Sequence, residues 1–160
     1  MRAYKAVVFL LAAIPLLTGP LDLFLGLKAP KSIGMVLSDI DVRDPVLNSQ
    51  VRFFGAVWFG TGLLMVLGAA RLERFGAVLK MTFAVLTLAG LGRLFSMLQF
   101  GLPSAPIGAA FILATIVLEI VVAPVMLLWQ RRLEQPQKVR GRWTLMTRNS
   151  VSRDSACPKP

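Results

Sequence analysis

Five polar side chains stand inside or at the edges of apolar stretches: Asp22, Arg52, Arg93, Ser96 and Glu119. Arg93 interrupts the run LAGLGRLFSMLQFG (residues 88–101), and Glu119 lies among Ile116, Val117, Leu118 and Ile120. In hydrocarbon, a charge near the centre of a helix costs roughly 2.5–3.5 kcal/mol. Each such residue must therefore face the interior of a bundle, find a partner, or stretch to the surface. Three kinds of chemistry suit them. Opposite charges can fix helices against one another, and arginines can hold an anionic or amphipathic molecule. A deep carboxylate such as Glu119 can carry a proton or bind a ligand. Asn48, one helical turn before Arg52, is a supporting polar group.

The same inventory argues against catalysis. The chain has no histidine, which excludes His-based metal sites and His-dependent triads. The lone Cys157 forms no disulfide within the chain and lies far from any ligand cluster. The Gly90-x-Gly92 pair falls inside an apolar helix and not after a strand, so it is no nucleotide fingerprint. With no nucleophile–base pair, metal cluster or phosphate loop, neither an enzyme nor a cofactor is expected.

The elements that must position these side chains follow from composition. Of 160 residues, 56% are hydrophobic and 16% charged, and the mean hydropathy is +0.68. A soluble domain of this length cannot bury that much apolar surface, so the surplus needs lipid. Four runs reach the roughly 20 residues that cross a bilayer core: 6–27, 51–70, 75–98 and 107–129. The expected fold is an all-α integral membrane bundle of four transmembrane helices. Its start, Met1-Arg2-Ala3-Tyr4-Lys5, has the charged character of a signal peptide, but the apolar run continues past any plausible cleavage point. The first helix is expected to be retained.

Charge sets the direction. Arg2 and Lys5 precede the first span, Arg71, Arg74 and Lys80 surround the second connection, and Arg131 and Arg132 close the fourth span. The third connection, around Gly101 and Pro106, carries no charge; the first mixes Lys28, Lys31 and Arg43 with Asp39, Asp41 and Asp44. Both termini are expected in the cytoplasm. Residues 28–50 then form an external loop with an amphipathic segment at 33–40. Asp44-Pro45 is expected to break any helix, leaving Asn48 or Ser49 to cap the second span. The net charge of +10 is concentrated beyond residue 129, where eight Lys or Arg oppose only Glu134 and Asp154. That basic tail, 131–160, is expected to be disordered or held on anionic lipid through its bases and Trp143. Lipid headgroups account for it, and no nucleic acid is expected.

Depth counted along straight helices brings the polar residues toward one region. Arg93 stands about five residues, or roughly 8 Å, before the outer end of the third span, with Asp22 at a similar depth in the first. Arg52 and Asn48 open the second span from the same side, and Glu119 lies roughly 18 Å down the fourth. Asp22, Arg52, Arg93 and Ser96 can thus converge in the outer half of the bundle, above Glu119. The axial offset between Arg93 and Glu119, about 10 Å, is near the reach of the two side chains together. Asp22 matches Arg93 better in depth, so either acid can be its partner. Pro15 and Pro20 are expected to kink the first helix beside Asp22. Ala56 and Gly60 form a small-xxx-small pair suited to close helix contact, within the bundle or in a homo- or hetero-oligomer. Phe53, Phe54, Trp58 and Phe59 suit lipid or the interface more than a cofactor box.

These features resemble a known family. NSQVRFFGAVWFGTGLL, LAGLGRLFSMLQFGLPS and the Glu of VLEIVV are similar to small bacterial membrane proteins grouped as domain of unknown function 4345. The matching positions are Asn48, Arg52 and Gly55, then Gly92, Arg93 and Ser96, then Gly101 and Pro103, and finally Glu119. Order and spacing over about residues 5–130 carry the likeness. The resemblance implies a four-helix integral membrane fold and no activity.

Three functions are expected from the residues, in order. The first is a non-enzymatic protein of the bacterial inner membrane, binding an amphipathic or anionic ligand or lipid among Asp22, Arg52, Arg93, Ser96 and Glu119. The second is a structural or accessory subunit whose charges fix helix packing. The third is a small proton-coupled transporter using Glu119.

Overall fold

The computed structural model describes residues 1–32 and 43–134. Helix α1 is Arg2–Leu25, α2 is the short Lys28–Ser32, α3 is Pro45–Ala70 and α4 is Leu72–Phe100. Helix α5, Pro106–Val117, runs into a π-helical turn, Leu118–Val122, and the helix then continues, giving a fourth span of Pro106–Glu134. At 1.5 Å per residue these four helices are roughly 36–44 Å long, enough to cross a hydrocarbon core of about 30 Å. Their outward surfaces are apolar, with Leu10, Leu17, Phe24, Leu98 and Phe100 all more than 70% exposed. The chain is an all-helical, multi-pass membrane protein.

Backbone contact between α1 and α3 depends on missing side chains. A Cβ on Gly19 would stand 2.7 Å from the Phe59 nitrogen, and one on Gly55 would stand 2.5 Å from the Leu23 nitrogen. The helices therefore run antiparallel at a separation that only small residues allow. Ala56 is exposed and Gly60 has nothing within 4 Å of its Cβ position, so the close contact uses Gly55 and not the Ala56/Gly60 pair. Arg71 (φ −120°, ψ 59°) alone turns α3 into α4, and Phe75 (φ −114°, ψ 15°) breaks the helical geometry again one turn later.

The well-packed core lies at the end of the bundle that holds the start of α1, the α3–α4 turn and the close of the fourth span. Tyr4, Val8 and Ala12 form a stripe at four-residue spacing and pack with Met65, Leu79, Phe83, Ala123 and Met126. Toward the opposite end packing thins: of Pro106–Val117 only Gly108 is buried.

The start of the second span differs from expectation. The second span begins at Pro45, six residues early, because Asp44 accepts a hydrogen bond from the Leu47 nitrogen at 2.7 Å and Pro45 takes the first helical position. Asp-Pro thus starts a helix instead of breaking one, and neither Asn48 nor Ser49 is the cap. Lys80, within the expected third span, sits inside α4, half-buried against Glu134 at 2.7 Å. The amphipathic segment at 33–40 and the tail from residue 135 fall outside the described residues.

Candidate functional site

The site begins with a proline. Pro124 has no N–H for the carbonyl of Ile120 and its ring would press on that carbonyl. The turn just before it is widened, and the Ala123 nitrogen bonds back to Leu118 O, five residues away. Widened turns of this kind frequently occur at functional sites. Glu119 sits in this one, near the middle of the fourth span, and is 4% exposed.

Opposite it, α4 presents Gly90. A Cβ there would be 2.6 Å from the Glu119 Cβ, so the two helices touch at this level. Arg93 lies one turn further along α4. Side chains on a helix tilt back toward its N-terminus, which carries the Arg93 guanidinium down to the level of Glu119. Its Nε donates to Glu119 Oε1 at 3.3 Å and approaches Oε2 to 3.0 Å. Nε has a single hydrogen, and Oε2 is left buried with no hydrogen-bond donor. The pair is asymmetric: the Arg93 side chain is 43% exposed and that of Glu119 5%.

Beside the pair, the helices leave a cleft of about 60 Å³. Pro15 of α1, Trp58 and Met65 of α3, Phe83 of α4, and Thr115 and Glu119 of the fourth span are on its wall. The two other polar side chains among these are engaged: the Thr115 hydroxyl donates to Ile112 O at 2.9 Å, and Trp58 Nε1 donates to the Thr18 hydroxyl at 2.9 Å. Glu119 is the ionisable residue on this wall.

The other polar residues of the sequence are placed elsewhere. Arg52 Nη1 donates to Leu23 O at 3.1 Å, and Asn48 Oδ1 accepts from the Leu27 nitrogen at 3.3 Å. Arg52 closes the last turn of α1, where carbonyls lack helical partners and a cation is favoured, and Asn48 holds the backbone just beyond it. Gly26 (φ +57°) lets the chain leave the helix there; a Cβ on it would collide with Asn48 Oδ1. Asp22 is half-buried with its Cβ against Gly55, and among the described residues its carboxylate has no ion pair or hydrogen bond. Ser96 is exposed. Of the five residues, the fold brings Arg93 and Glu119 together and directs Arg52 to α1.

The family described as domain of unknown function (DUF4345) matches residues 3–130. The chain belongs to this family. No curated protein and no solved structure matches it.

The DUF4345 region reaches all four helices, and at its end lies a polar cluster that the sequence did not reveal. Gln130 is fully buried and links three helices. Its Nε2 donates to Gly76 O at 2.7 Å and to Glu134 Oε1 at 3.0 Å, and its Oε1 accepts from the Tyr4 hydroxyl at 3.1 Å. Lys80 completes the cluster through Glu134, and Trp129 meets the Tyr4 ring edge-on at 5.4 Å. A glutamine next to Arg131 looks like the polar end of a span, so nothing local marks it as core. Pro124, five residues after Glu119, was a usable signal for the widened turn.

Proposed function

We propose that this DUF4345 protein is a non-enzymatic protein of a bacterial cytoplasmic membrane, with both termini on the cytoplasmic side, that binds a small amphiphile between its helices. One observation carries the reading: Glu119 is buried on the wall of an apolar cleft, and its two carboxylate oxygens share the single Nε–H of Arg93, which leaves Oε2 without a hydrogen bond of its own. An unsatisfied acceptor sealed in low dielectric costs about 1–3 kcal/mol or more when charged. A ligand hydroxyl or amine at Oε2 removes that cost, while its apolar part occupies the cleft beside Trp58, Met65 and Phe83. The arginines alone suggested an anion. With Arg52 engaged by α1 and Arg93 facing Glu119, the cleft itself favours a hydrogen-bond donor.

Native mass spectrometry of the full-length protein, extracted with its own lipids, tests this. Ala123 also lines the cleft, so Ala123→Leu fills it without touching a charge, and Glu119→Gln removes the acceptor charge. A bound small molecule present in wild type and lost in both variants is the expected result. Retention of the same mass by both variants rules the reading out.

A second reading has its own observation. Ala56 is exposed and Gly60 opens onto empty space on α3, a surface suited to a partner helix in an accessory subunit. Crosslinking in native membranes that yields only monomer would remove it.

A further inference from the structure

The outward edge of Arg93 is a separate matter from the cleft. Among the described residues only its Nε has an acceptor, yet the side chain is 43% exposed on a helix meant for lipid. Its surroundings on α4 are apolar: Leu88, Leu91, Phe95 and Leu98 are each at least half exposed. A guanidinium whose Nη groups have no acceptor cannot rest in hydrocarbon without a large cost. The Arg93 Cα stands seven residues, or about 10 Å, before the end of α4 at Phe100, and the guanidinium leans back from that level toward Glu119. Ser96 and Gln99 follow at three-residue spacing, both exposed, so the three side chains climb one face toward that end. Next to Arg93, Gly92 is exposed and has nothing within 4 Å of its Cβ position. The result is a notch with a cation at its foot and a polar track leading to the surface.

We infer that Arg93, Ser96 and Gln99 form a binding site for the phosphate of a membrane phospholipid on the outer face of α4. The planar fork of Arg93 matches two phosphate oxygens, the Ser96 hydroxyl donates to a third, and an acyl chain lies over Gly92. Glu119, held behind the guanidinium, fixes the orientation of the fork. This site uses the exterior of α4, so it stands or falls independently of the cleft ligand.

The test is lipid retention by the delipidated full-length protein in detergent, followed by native mass spectrometry. Three probes are compared: phosphatidylglycerol, diacylglycerol with the same chains, and inorganic phosphate. Wild type is expected to keep phosphatidylglycerol and release diacylglycerol, with millimolar phosphate failing to compete. Because Arg93→Gln alone strands Glu119 and can fail to fold, the informative variant is Arg93→Gln with Glu119→Gln, alongside Ser96→Leu, which leaves the pair intact. Phosphatidylglycerol retention should fall about tenfold in the double variant, the size of a lost charge-assisted hydrogen bond, and several-fold in Ser96→Leu. Equal retention of the two lipids by wild type overturns the inference, as does unchanged retention in both variants. Displacement by inorganic phosphate overturns the lipid as the source. A shift in oligomeric state for Ser96→Leu, without loss of lipid, makes this face a contact between copies and also overturns it. Ala123→Leu alone separates the two sites: it should abolish the cleft ligand while phosphatidylglycerol stays.

Discussion

Gly90 and Glu119 meet where α4 touches the fourth span, so closely that a methyl group on the glycine would lie 2.6 Å from the Glu119 Cβ. This contact lets Arg93, one turn away, reach the carboxylate. Gly90→Ala should therefore force the helices apart and cost about 1–3 kcal/mol, as overpacking does. Gly92→Ala, two residues away in open space, should be neutral or slightly stabilising, since alanine gains up to about 1 kcal/mol over glycine in a helix. Unfolding by SDS or heat in micelles compares the two directly, and equal effects would refute the close contact.

The ion pair makes a second prediction. Removing one member of a buried pair costs roughly 3–5 kcal/mol, and replacing both can be close to neutral. Arg93→Leu should be the costlier single change, because it strands the carboxylate that is sealed; Glu119→Leu leaves an arginine that is already partly exposed. The double variant should recover most of the loss. A cycle that is additive within about 0.5 kcal/mol would mean that the two side chains are not coupled.

Pro124→Ala tests the widened turn. With an N–H restored at position 124, the helix can return to regular α geometry, rotating Glu119 by about 100° relative to the residues beyond. The Arg93–Glu119 coupling energy, measured again in the Pro124→Ala background, should fall toward zero. A coupling that survives unchanged would show that proline does not set the turn.

At the other end of the bundle, Gln130→Leu leaves the Tyr4 hydroxyl without its acceptor and removes two donated hydrogen bonds. The expected loss is about 2–3 kcal/mol, against about 1 kcal/mol for Tyr4→Phe. The double substitution should cost less than the sum, since one bond is counted twice. Thermal unfolding of the four proteins in one detergent decides it.

The long helices were legible because crossing a bilayer demands a run of apolar residues that composition cannot hide. Their ends were less so: Asp44-Pro45 looks like a break until its capping geometry is seen. The pairing of Arg93 was not legible because counting residues gives a depth and no direction around the axis. Counting also treats side chains as perpendicular to the helix, whereas Arg93 leans back by a turn and Gly90 brings the helices together. Arg52 and Asn48 have the right depth for a pocket, but the unpaired backbone at the end of α1 engages them. Gln130 had no such local sign, since its partners Tyr4 and Gly76 lie 126 and 54 residues away.

That last separation bears on how the protein is made. The Tyr4 hydroxyl leaves the ribosome first and its acceptor on Gln130 leaves after three further helices have been threaded into the bilayer. Until then the first helix leans on α3, through Gly19 and Gly55, and on Leu79 and Phe83 of α4. Closure of the bundle is thus deferred until the fourth span is made, and a nascent chain stopped before residue 130 carries an open seam along α1.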